Sequence, residues 1–556
     1  MTQLLIGQSD FRQFRLRNGY YIDKSLFIQE ILQIGFETVL LPRPRRFGKT
    51  LNLSMLRYFF DKAAPPDEAL FQGLAIETSP LFTEHYRRYP VIYLTFKDAK
   101  GQDWAECFET IQAVIYQTYH YHRYLLTDLM LSPEERATFE QILAGKAKKG
   151  DYGQSLKKLS ELLYRYHHEA VVILIDEYDT PIHSGYGHGY YEDIISFMRH
   201  FLSGGLKDNA CLFKGLLTGI LRVAKESIFS GLNNLGVYTL LDKDFSTVFG
   251  FTEAEVKALL AYQNRADNYE KVAYWYNGYL FGDTIIYNPW SVLSYVANSD
   301  SEPRPYWVNT ADTSMIDQLV TNGGQELREE LYQLLDGQPI IKPISDNIIM
   351  RELNYGTKQL WSFLLFSGYL KVVKRVTNEH YELKITNHEV EIIYRHMVER
   401  WFEAKVKYSH LENMLNSLQH GDMRLFERML RAVVTQVMSY HDLSGEPEKV
   451  YHALVLGMLV WLSPYYEIRS NREAGYGRYD MMFRPKDITR QGIILEFKLV
   501  DEDEEPKTVL AEAMQQLKMK QYATELQAVG VNSILQIAIV FRGKELWVQS
   551  DAIVCN

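Results

Sequence analysis

A strand, a loop and a helix follow one another between residues 38 and 60, and this order constrains the fold more than any other stretch. The apolar run 38–42 predicts a strand, and the apolar residues of 51–60 recur at helical spacing. Between them stands Arg-Pro-Arg-Arg-Phe-Gly-Lys-Thr, residues 43–50. A Gly-Lys-Thr at a helix N-terminus favours polyphosphate binding, because backbone N–H groups and a lysine ammonium together neutralise the phosphates.

The residue types in this loop predict individual roles. The lysine would reach the β and γ phosphates of a nucleotide, and the threonine hydroxyl would ligate Mg²⁺. The general pattern has glycine five residues before Gly48, where this chain has Arg43. The alternative is a strand-to-helix turn with a chance Gly-Lys-Thr. The expected nucleotide-binding residues of the loop are Arg45, Arg46, Gly48, Lys49 and Thr50.

A second apolar run, residues 171–175, leads directly into Asp176 and Glu177. A continuous apolar run is typical of a parallel strand buried on both faces, and ligands bind at the carboxyl ends of such strands. We expect Asp176 to hold Mg²⁺ through water and Glu177 to orient the attacking water as a base. The alternative for these carboxylates is a solvated turn. Thr218, near the end of a further strand, is expected to sense the γ-phosphate.

Strand patterns alternate with helical patterns through the first part of the chain, which predicts βαβ units and a parallel sheet. With 556 residues, 46% of them hydrophobic, the chain can bury more than one core. Residues 361–385 suggest a helix followed by a hairpin, the layout of a winged helix. The fold class predicted for this part is therefore α/β, with a helical, winged-helix-like region after the parallel sheet.

Composition excludes several classes of protein. No apolar run approaches the roughly 18 to 20 residues of a membrane span, and the N-terminus lacks a basic region followed by an apolar one. Three cysteines spread along the chain argue against a disulfide framework. We therefore expect a cytoplasmic protein without a membrane partner. The net charge of −10 does not indicate nucleic-acid binding by the whole surface, so any such contact requires a local basic patch.

The last third of the chain contains a second group of polar residues in apolar surroundings. Two predicted strands carry Asp480 on the first and Glu496 and Lys498 on the second, which places all three on one face. Two converging carboxylates suit Mg²⁺ or Mn²⁺, and a neighbouring lysine can position or help deprotonate water. Glu448 is expected to complete the metal shell, and Gln516 to lie near the same edge. The alternative is an exposed Glu-Lys strand face, although a buried carboxylate and lysine are costly unless paired or metal-bound.

Several of these motifs together resemble one family. The motifs are residues 43–50, Leu-Ile-Asp-Glu-Tyr-Asp at 174–179, Leu-Thr-Gly-Ile at 217–220, Ser-Gly-Leu-Asn-Asn at 230–234, Trp-Tyr-Asn-Gly-Tyr at 275–279 and Tyr-Asn-Pro-Trp-Ser at 287–291. They resemble the prokaryotic AAA-ATPase-like proteins that carry a C-terminal PD-(D/E)XK nuclease domain. The resemblance implies that Lys49, Thr50, Asp176 and Glu177 serve the nucleotide. Arg43 departs from the general phosphate-loop pattern, but arginine is usual within this family.

The second group of residues is similar to the PD-(D/E)XK nuclease pattern. Asp480 matches its first acid, and Glu496-Phe-Lys498 match its second acid and lysine. Tyr479 stands where the pattern has proline, which is often replaced in that superfamily. The resemblance thus implies a C-terminal α/β nuclease-like domain with a metal-dependent active site.

These observations predict three domains. They are a P-loop NTPase domain of the AAA-ATPase-like type at 1–262, a helical lid and connecting winged-helix-like region at 263–400, and a PD-(D/E)XK nuclease-like domain at 401–556. The function they favour is ATP binding and hydrolysis coupled to Mg²⁺-dependent cleavage of nucleic acid, DNA before RNA, in defence or DNA processing. The competing hypothesis is a nucleotide-gated switch or scaffold with little turnover at either site. Related NTPases assemble, so a homo-oligomer is one expectation for the partners.

Overall fold

Helices and strands alternate along most of the chain in a computed structural model. The structure describes residues 3–64, 69–127, 131–223, 234–298, 300, 302–307, 325–335, 337–350, 353, 357–403, 408–437, 457, 459–463, 465–470, 473–474, 477–478, 480–500, 503–519, 522–543 and 545–554. Its α-helices are α1 (Phe11–Leu16), α2 (Leu26–Gln33), α3 (Lys49–Phe60), α4 (Pro80–His85), α5 (Trp104–Tyr121), α6 (Pro133–Leu143), α7 (Lys149–His167), α8 (Thr180–His188), α9 (Tyr191–Leu206), α10 (Glu253–Tyr262), α11 (Tyr269–Tyr276), α12 (Pro289–Ala297), α13 (Gln325–Leu335), α14 (Thr357–Phe366), α15 (His388–Glu403), α16 (Tyr408–Gln419), α17 (Met423–Val437), α18 (Pro506–Met519) and α19 (Thr524–Gln527).

Besides short 3₁₀ helices, the described ranges contain eighteen strands. They are β1 (Thr38–Pro42), β2 (Val91–Thr95), β3 (Val171–Asp176), β4 (Leu212–Gly219), β5 (Leu235–Val237), β6 (Phe251–Thr252), β7 (Tyr279–Phe281), β8 (Thr284–Tyr287), β9 (Ile340–Pro343), β10 (Leu370–Arg375), β11 (His380–Ile385), β12 (Tyr466–Ser470), β13 (Glu473–Ala474), β14 (Gly477–Arg478), β15 (Met481–Pro485), β16 (Gly492–Leu499), β17 (Ser533–Arg542) and β18 (Glu545–Val554).

The chain divides into two compact units. The first comprises Met1–Met315 and Ile341–Val390, and the second comprises Ile316–Ile340 and Glu391–Asn556. Each unit has its own main sheet and its own hydrophobic core. None of the helices within the described ranges combines the length and the apolar character that a bilayer span would need.

The first unit is built on a five-stranded sheet in the order β2-β3-β4-β1-β5. All neighbouring strands in it are parallel. Every residue of β1 and of β3 is buried, as expected for parallel strands covered on both faces. The parallel α/β sheet predicted from the alternating pattern is therefore confirmed.

The register of this sheet brings the polar strand ends together. Leu41 of β1 pairs with Thr218 of β4, and Ile175 of β3 pairs with Leu217 of β4. The loop after β1, the last residue of β3 and the end of β4 therefore meet at the carboxyl edge of the sheet. This is the edge at which open α/β sheets bind ligands.

The remainder of the first unit contains two small sheets. One has the order β6-β8-β7, and the other has the order β10-β11-β9. Helix α14 leads into the antiparallel hairpin of β10 and β11, in which Leu370 pairs with Ile385. The structure therefore has a helix followed by a hairpin here, in the predicted order.

The second unit is built on a mixed sheet in the order β12-β15-β16-β17-β18. The β16–β17 pair is parallel, whereas the pairs on either side of it are antiparallel. Apolar residues of α16 and α17 pack with one set of strand residues, including Leu495 and Phe497. Apolar residues of α18 pack with the alternate set, including Met482 and Ile494. The strand period of two thus separates two apolar layers, one on each face of the sheet.

One close backbone approach in the first unit generates a stability prediction. Gly278 has φ +131°, and a Cβ added there would lie 2.0 Å from the carbonyl oxygen of Thr386. We expect Gly278→Ala to lower the free energy of unfolding by about 3 kcal/mol, because both the clash and the backbone conformation oppose a side chain. Denaturant unfolding followed by circular dichroism measures the change.

Gly187 in α8 is a matched control, because no atom lies within 4 Å of its Cβ position. Gly187→Ala should be neutral or stabilising by up to about 1 kcal/mol. Equal stability of the two alanine variants would contradict the prediction.

Candidate functional site

The loop after β1 turns into α3 through two residues with left-handed backbone. Arg46 has φ +69° and Gly48, which precedes the first helical residue, has φ +84°. Left-handed conformations interspersed in a loop direct successive N–H groups into an anion-binding concavity. Glycine adopts this conformation freely, but arginine does so at a cost of about 1–2 kcal/mol. The loop therefore has the backbone of a phosphate site and contains one strained residue.

The Lys49 ammonium is held inside this loop. Its Nζ donates to the carbonyl oxygens of Arg43 and Pro44, each at 2.9 Å. Burial lowers the pKa of Lys49, while the nearby carboxylates, that of Glu177 foremost, act to raise it. The lysine is thus already positioned at the loop by backbone carbonyl groups.

Asp176 joins the loop to the neighbouring strands. Thr50 Oγ1 donates to Asp176 Oδ2 at 2.6 Å, and Thr218 Oγ1 donates to Asp176 Oδ1 at 2.6 Å. Asp176 and Thr218 are fully buried. Hydroxyl and carboxylate oxygens in contact are a donor set that fits Mg²⁺. The structure therefore brings together three residues that the sequence placed on separate elements.

Glu177 follows Asp176 with a left-handed backbone, φ +51°. Its Oε2 accepts a hydrogen bond from Thr180 Oγ1 at 3.3 Å. Burial raises the pKa of Glu177, and the attraction of Lys49 partly offsets this effect. Together with the loop residues, Glu177 lines a cleft.

A cleft of about 410 Å³ opens over the loop. Its lining includes the loop residues 45–52 together with Glu177, Asp179 and Thr180. Sequence reasoning missed the other side of the cleft, which is formed by Leu5–Ser9 and by Trp290. Tyr20 and Tyr21 also line it. Trp290 belongs to the motif at 287–291, but no local pattern places it or the other residues at the loop, because they reach the loop from distant parts of the chain.

Arg43 has a structural role in this unit. Its guanidinium donates to the carbonyl oxygens of Pro42 (2.8 Å), Tyr238 (2.7 Å) and Phe245 (3.1 Å). It also lies over the rings of Phe249 and Phe281. The side chain is fully buried, and burial lowers its pKa to about 10. At the position of the usual glycine, this arginine fastens residues 238–249 to the base of the loop.

Asp179 connects the segment after β3 to the segment after β4. Its Oδ2 accepts from the N–H groups of Ile220 (2.8 Å) and Leu221 (2.9 Å) and lies 3.3 Å from His183 Nε2. Burial alone would raise the pKa of Asp179, but the hydrogen bonds from His183 and the two N–H groups lower it overall. Arg222, which follows Leu221, forms an ion pair with Asp346, and 2.6 Å separates its Nη1 from Asp346 Oδ2.

A second polar group lies on strand β16 of the second unit. Glu496 and Lys498 are two residues apart and face the same side of the sheet as Ile494. Lys498 Nζ is 3.3 Å from Glu496 Oε1, and Gln516 of α18 donates to the same oxygen. The Glu496 side chain is only 2% exposed. The contacts with Lys498 and Gln516 offset the free-energy cost of burying its carboxylate.

Asp480 lies at the same end of these strands. It directly precedes β15, in which Met481 pairs with Leu495, and continuing this antiparallel register places Asp480 opposite Glu496. Its Oδ2 accepts from the backbone N–H of Phe497 at 2.8 Å. The structure thus brings together Asp480, Glu496, Lys498 and Gln516, as the predicted convergence on one face requires.

Glu448, the expected additional metal ligand, lies outside the described residues. Within the described ranges, no three His, Cys, Asp or Glu side chains cluster as a metal site. The described donor set in the second unit is therefore the carboxylate pair of Asp480 and Glu496. Two carboxylates are oxygen ligands of the kind that Mg²⁺ and Mn²⁺ prefer.

Comparison with protein families assigns the two ends of the chain to two classes. Residues 5–229 match a family described as a predicted AAA-ATPase, and residues 446–551 match the PD-(D/E)XK nuclease superfamily. The chain therefore carries an AAA-ATPase-like domain and a PD-(D/E)XK nuclease-like domain, and both resemblances inferred from its motifs are confirmed.

One relative is similar over nearly the whole length. It is described as an uncharacterized protein in the vnfD 5′ region of Azotobacter chroococcum mcd 1. The two are 25% identical over 544 residues, which cover 95% of this chain and 94% of the relative. The similarity thus extends across both regions that match the family models.

The contacts of Asp179 predict a pH-dependent effect on stability. Asp179→Asn should lower the free energy of unfolding by about 1.5–3 kcal/mol at neutral pH, because an amide accepts less strongly from the two N–H groups. The lowered pKa means that the native state binds fewer protons than the unfolded state just below the ordinary value of 3.8. The difference between wild type and variant should therefore be constant above about pH 5 and narrow as pH falls below 3.8.

Urea unfolding midpoints measured between pH 3 and 7 test this expectation. The exposed Asp98→Asn substitution makes the same chemical change and should leave the midpoint unaltered. A difference between wild type and Asp179→Asn that does not vary with pH would contradict the assignment.

Proposed function

We propose that this protein binds and hydrolyses ATP in its first unit and that the nucleotide controls metal-dependent cleavage of nucleic acid by its second unit. The observation that carries the proposal is the contact of Thr50 with Asp176 beside the Lys49 loop. The hydroxyl of Thr50 in α3 and the carboxylate of Asp176 at the end of β3 meet there next to a buried ammonium group. The convergence of Asp480, Glu496 and Lys498 supports the second activity.

In the nucleotide site, each expected residue receives a role that its surroundings support. Lys49 and the loop N–H groups, with Arg45, Arg46 and Gly48, would bind the phosphates. Thr50 and Asp176 would hold Mg²⁺, which supplies charge neutralisation on the phosphates when bound. Glu177 is the base that orients water, and its raised pKa brings it closer to neutral pH, where a general base is most effective. Thr218 would sense the γ-phosphate through its hydrogen bond to Asp176.

In the nuclease site, Asp480 and Glu496 would hold Mg²⁺ or Mn²⁺, with Glu448 as a further ligand. A bound divalent ion stabilises charge on a phosphodiester. Lys498 lies beside Glu496 and is suited to position or deprotonate the attacking water. Gln516 keeps the Glu496 carboxylate oriented through its hydrogen bond.

The substrate we favour is DNA, and the pathways it would serve are defence against mobile DNA or DNA processing. In this proposal the chain has a P-loop domain (1–262), a lid and connecting region (263–400) and a nuclease domain (401–556), works in the cytoplasm and can form a homo-oligomer. A nucleotide-gated switch with little turnover is the competing function. ATP binding without release of inorganic phosphate would distinguish this competing function from ATP hydrolysis.

The nucleotide site generates a binding prediction. Lys49→Ala should weaken ATP affinity by about 10- to 100-fold, because it removes a charge-assisted hydrogen bond to the phosphates. Isothermal titration calorimetry with ATP and Mg²⁺ measures the effect, and release of inorganic phosphate reports turnover. Lys97→Ala is the matched control, since Lys97 is exposed and does not line the cleft. Equal affinity in both variants would reject the assigned site.

The nuclease site generates an activity prediction. Asp480→Asn and Lys498→Ala should each abolish cleavage of DNA that wild type performs with Mg²⁺ or Mn²⁺, because one loses a metal ligand and the other the group beside the water. Gel assays on linear, circular and single-stranded DNA and on RNA measure cleavage and substrate class. Lys486→Ala, an exposed lysine just after β15, should cleave like wild type. Cleavage that survives both substitutions would show that the activity resides elsewhere.

A further inference from the structure

The carbonyl group of Arg45 in the phosphate loop is held from outside the loop. Asn288 Nδ2 and Trp307 Nε1 both donate to Arg45 O, each at 3.3 Å. Both donors are buried side chains. They come from positions more than 240 residues further along the chain. The loop conformation is therefore fixed in part by a segment that the phosphate-loop motif does not include.

A single buried carboxylate organises these donors. Glu389, near the start of α15, accepts from Ser291 Oγ at 2.8 Å and from the backbone N–H of Trp307 at 2.6 Å. Asn288 in turn accepts from the Ser291 N–H at 3.3 Å and caps the first turn of α12. Glu389 is fully buried, and burial raises its pKa to about 7 although the Trp307 and Ser291 hydrogen bonds lower it. Its two oxygens thus orient both groups that reach Arg45.

Further contacts from the same region surround the loop. The Trp290 ring lies under the Arg46 guanidinium at 4.4 Å, and Gly368 approaches Pro44 so closely that a Cβ there would be 3.0 Å from it. We call Asn288, Trp290, Trp307, Gly368 and Glu389 the loop collar. All of its members and the loop itself belong to the first unit.

The loop needs such support because it lacks glycine where its backbone is strained. Arg46 adopts φ +69°, a conformation that costs a non-glycine residue about 1–2 kcal/mol. The Arg45–Arg46 peptide is trans, so its C=O and N–H groups point in opposite directions. Holding the Arg45 carbonyl against the collar consequently directs the Arg46 N–H away from the collar. Residues held in strained conformations persist only where the surrounding structure imposes them.

We propose that Glu389 is a positioning residue of the phosphate loop, which acts through Trp307 and Asn288 on the Arg45 carbonyl and so keeps the Arg46 N–H available to phosphate. The collar thus supports at Arg46 a left-handed conformation that glycine would adopt without support. This inference rests on the proposed nucleotide site and adds to it residues that no motif of the loop indicates.

The test uses tripolyphosphate as the probe beside ATP, because it engages the loop without contacts to a base. In the full-length protein, Trp307→Phe keeps an aromatic side chain but loses the indole N–H that donates to Arg45 O. Glu389→Gln disturbs the support of both donors, Trp307 and Asn288. Each should weaken tripolyphosphate affinity by about threefold to tenfold in calorimetric titration. Tyr276→Phe is the matched control, since it removes a buried hydrogen bond to Arg304 in the same region but none to the loop. It should change the affinity by less than about twofold.

A double-substitution cycle separates positioning from general stability. Glycine adopts the left-handed conformation without support, so Glu389→Gln or Trp307→Phe should lose most of its effect in an Arg46→Gly background. Circular dichroism at the titration temperature identifies any variant that is unfolded. If Glu389→Gln does not fold, the test is made with Trp307→Phe alone.

The outcomes distinguish this inference from the proposal beneath it. A wild-type protein that binds neither ATP nor tripolyphosphate would overturn the nucleotide site and the collar with it. Wild-type binding that both variants retain would overturn the collar alone. If the variants lose as much tripolyphosphate affinity in the Arg46→Gly background as in wild type, the collar is also overturned. The effect would then not depend on the strained residue Arg46.

Discussion

The hydrogen bonds of the Asp176 carboxylate to Thr50 and Thr218 are the interaction on which the first unit depends. A buried carboxylate is costly unless polar groups satisfy it, and here each oxygen accepts from one threonine hydroxyl at 2.6 Å. The two threonines belong to α3 and β4, while Asp176 ends β3. One residue therefore connects three adjacent elements at the carboxyl edge of the sheet, where Lys49 and Glu177 also lie. The chemistry proposed for the site uses the same contacts that hold this edge together.

Two arginines show how tertiary contacts replace the usual glycine-rich design of a phosphate loop. Arg43 is buried and fastens residues 238–249 beneath the loop through three carbonyl groups. Arg46 is left-handed and lies over Trp290, while the preceding carbonyl is bound by the collar. This loop is supported by Arg43 as well as by the collar. Preorganised N–H groups bind anions without a further ordering cost.

The second unit applies the same principle to a different chemistry. Glu496 is buried on β16 and is satisfied by Lys498 from its own strand and by Gln516 from α18. Strand periodicity places Glu496 and Lys498 together, and the antiparallel register adds Asp480. The helix supplies the remaining contact only because its apolar face packs over this side of the sheet.

The sequence by itself determined the local elements and the positions of the candidate site residues. Periodicity predicted the parallel strands and helices of the first unit, and short motifs predicted Lys49, Thr50, Asp176, Asp480, Glu496 and Lys498, because these signals depend on neighbouring residues. Only the tertiary structure decided that Thr218 binds Asp176, that Arg43 is a buried brace, and that Trp290, Trp307 and Glu389 surround the loop. Those contacts join residues from about 40 to about 260 positions apart, and side-chain packing across such separations leaves no periodic trace in the sequence.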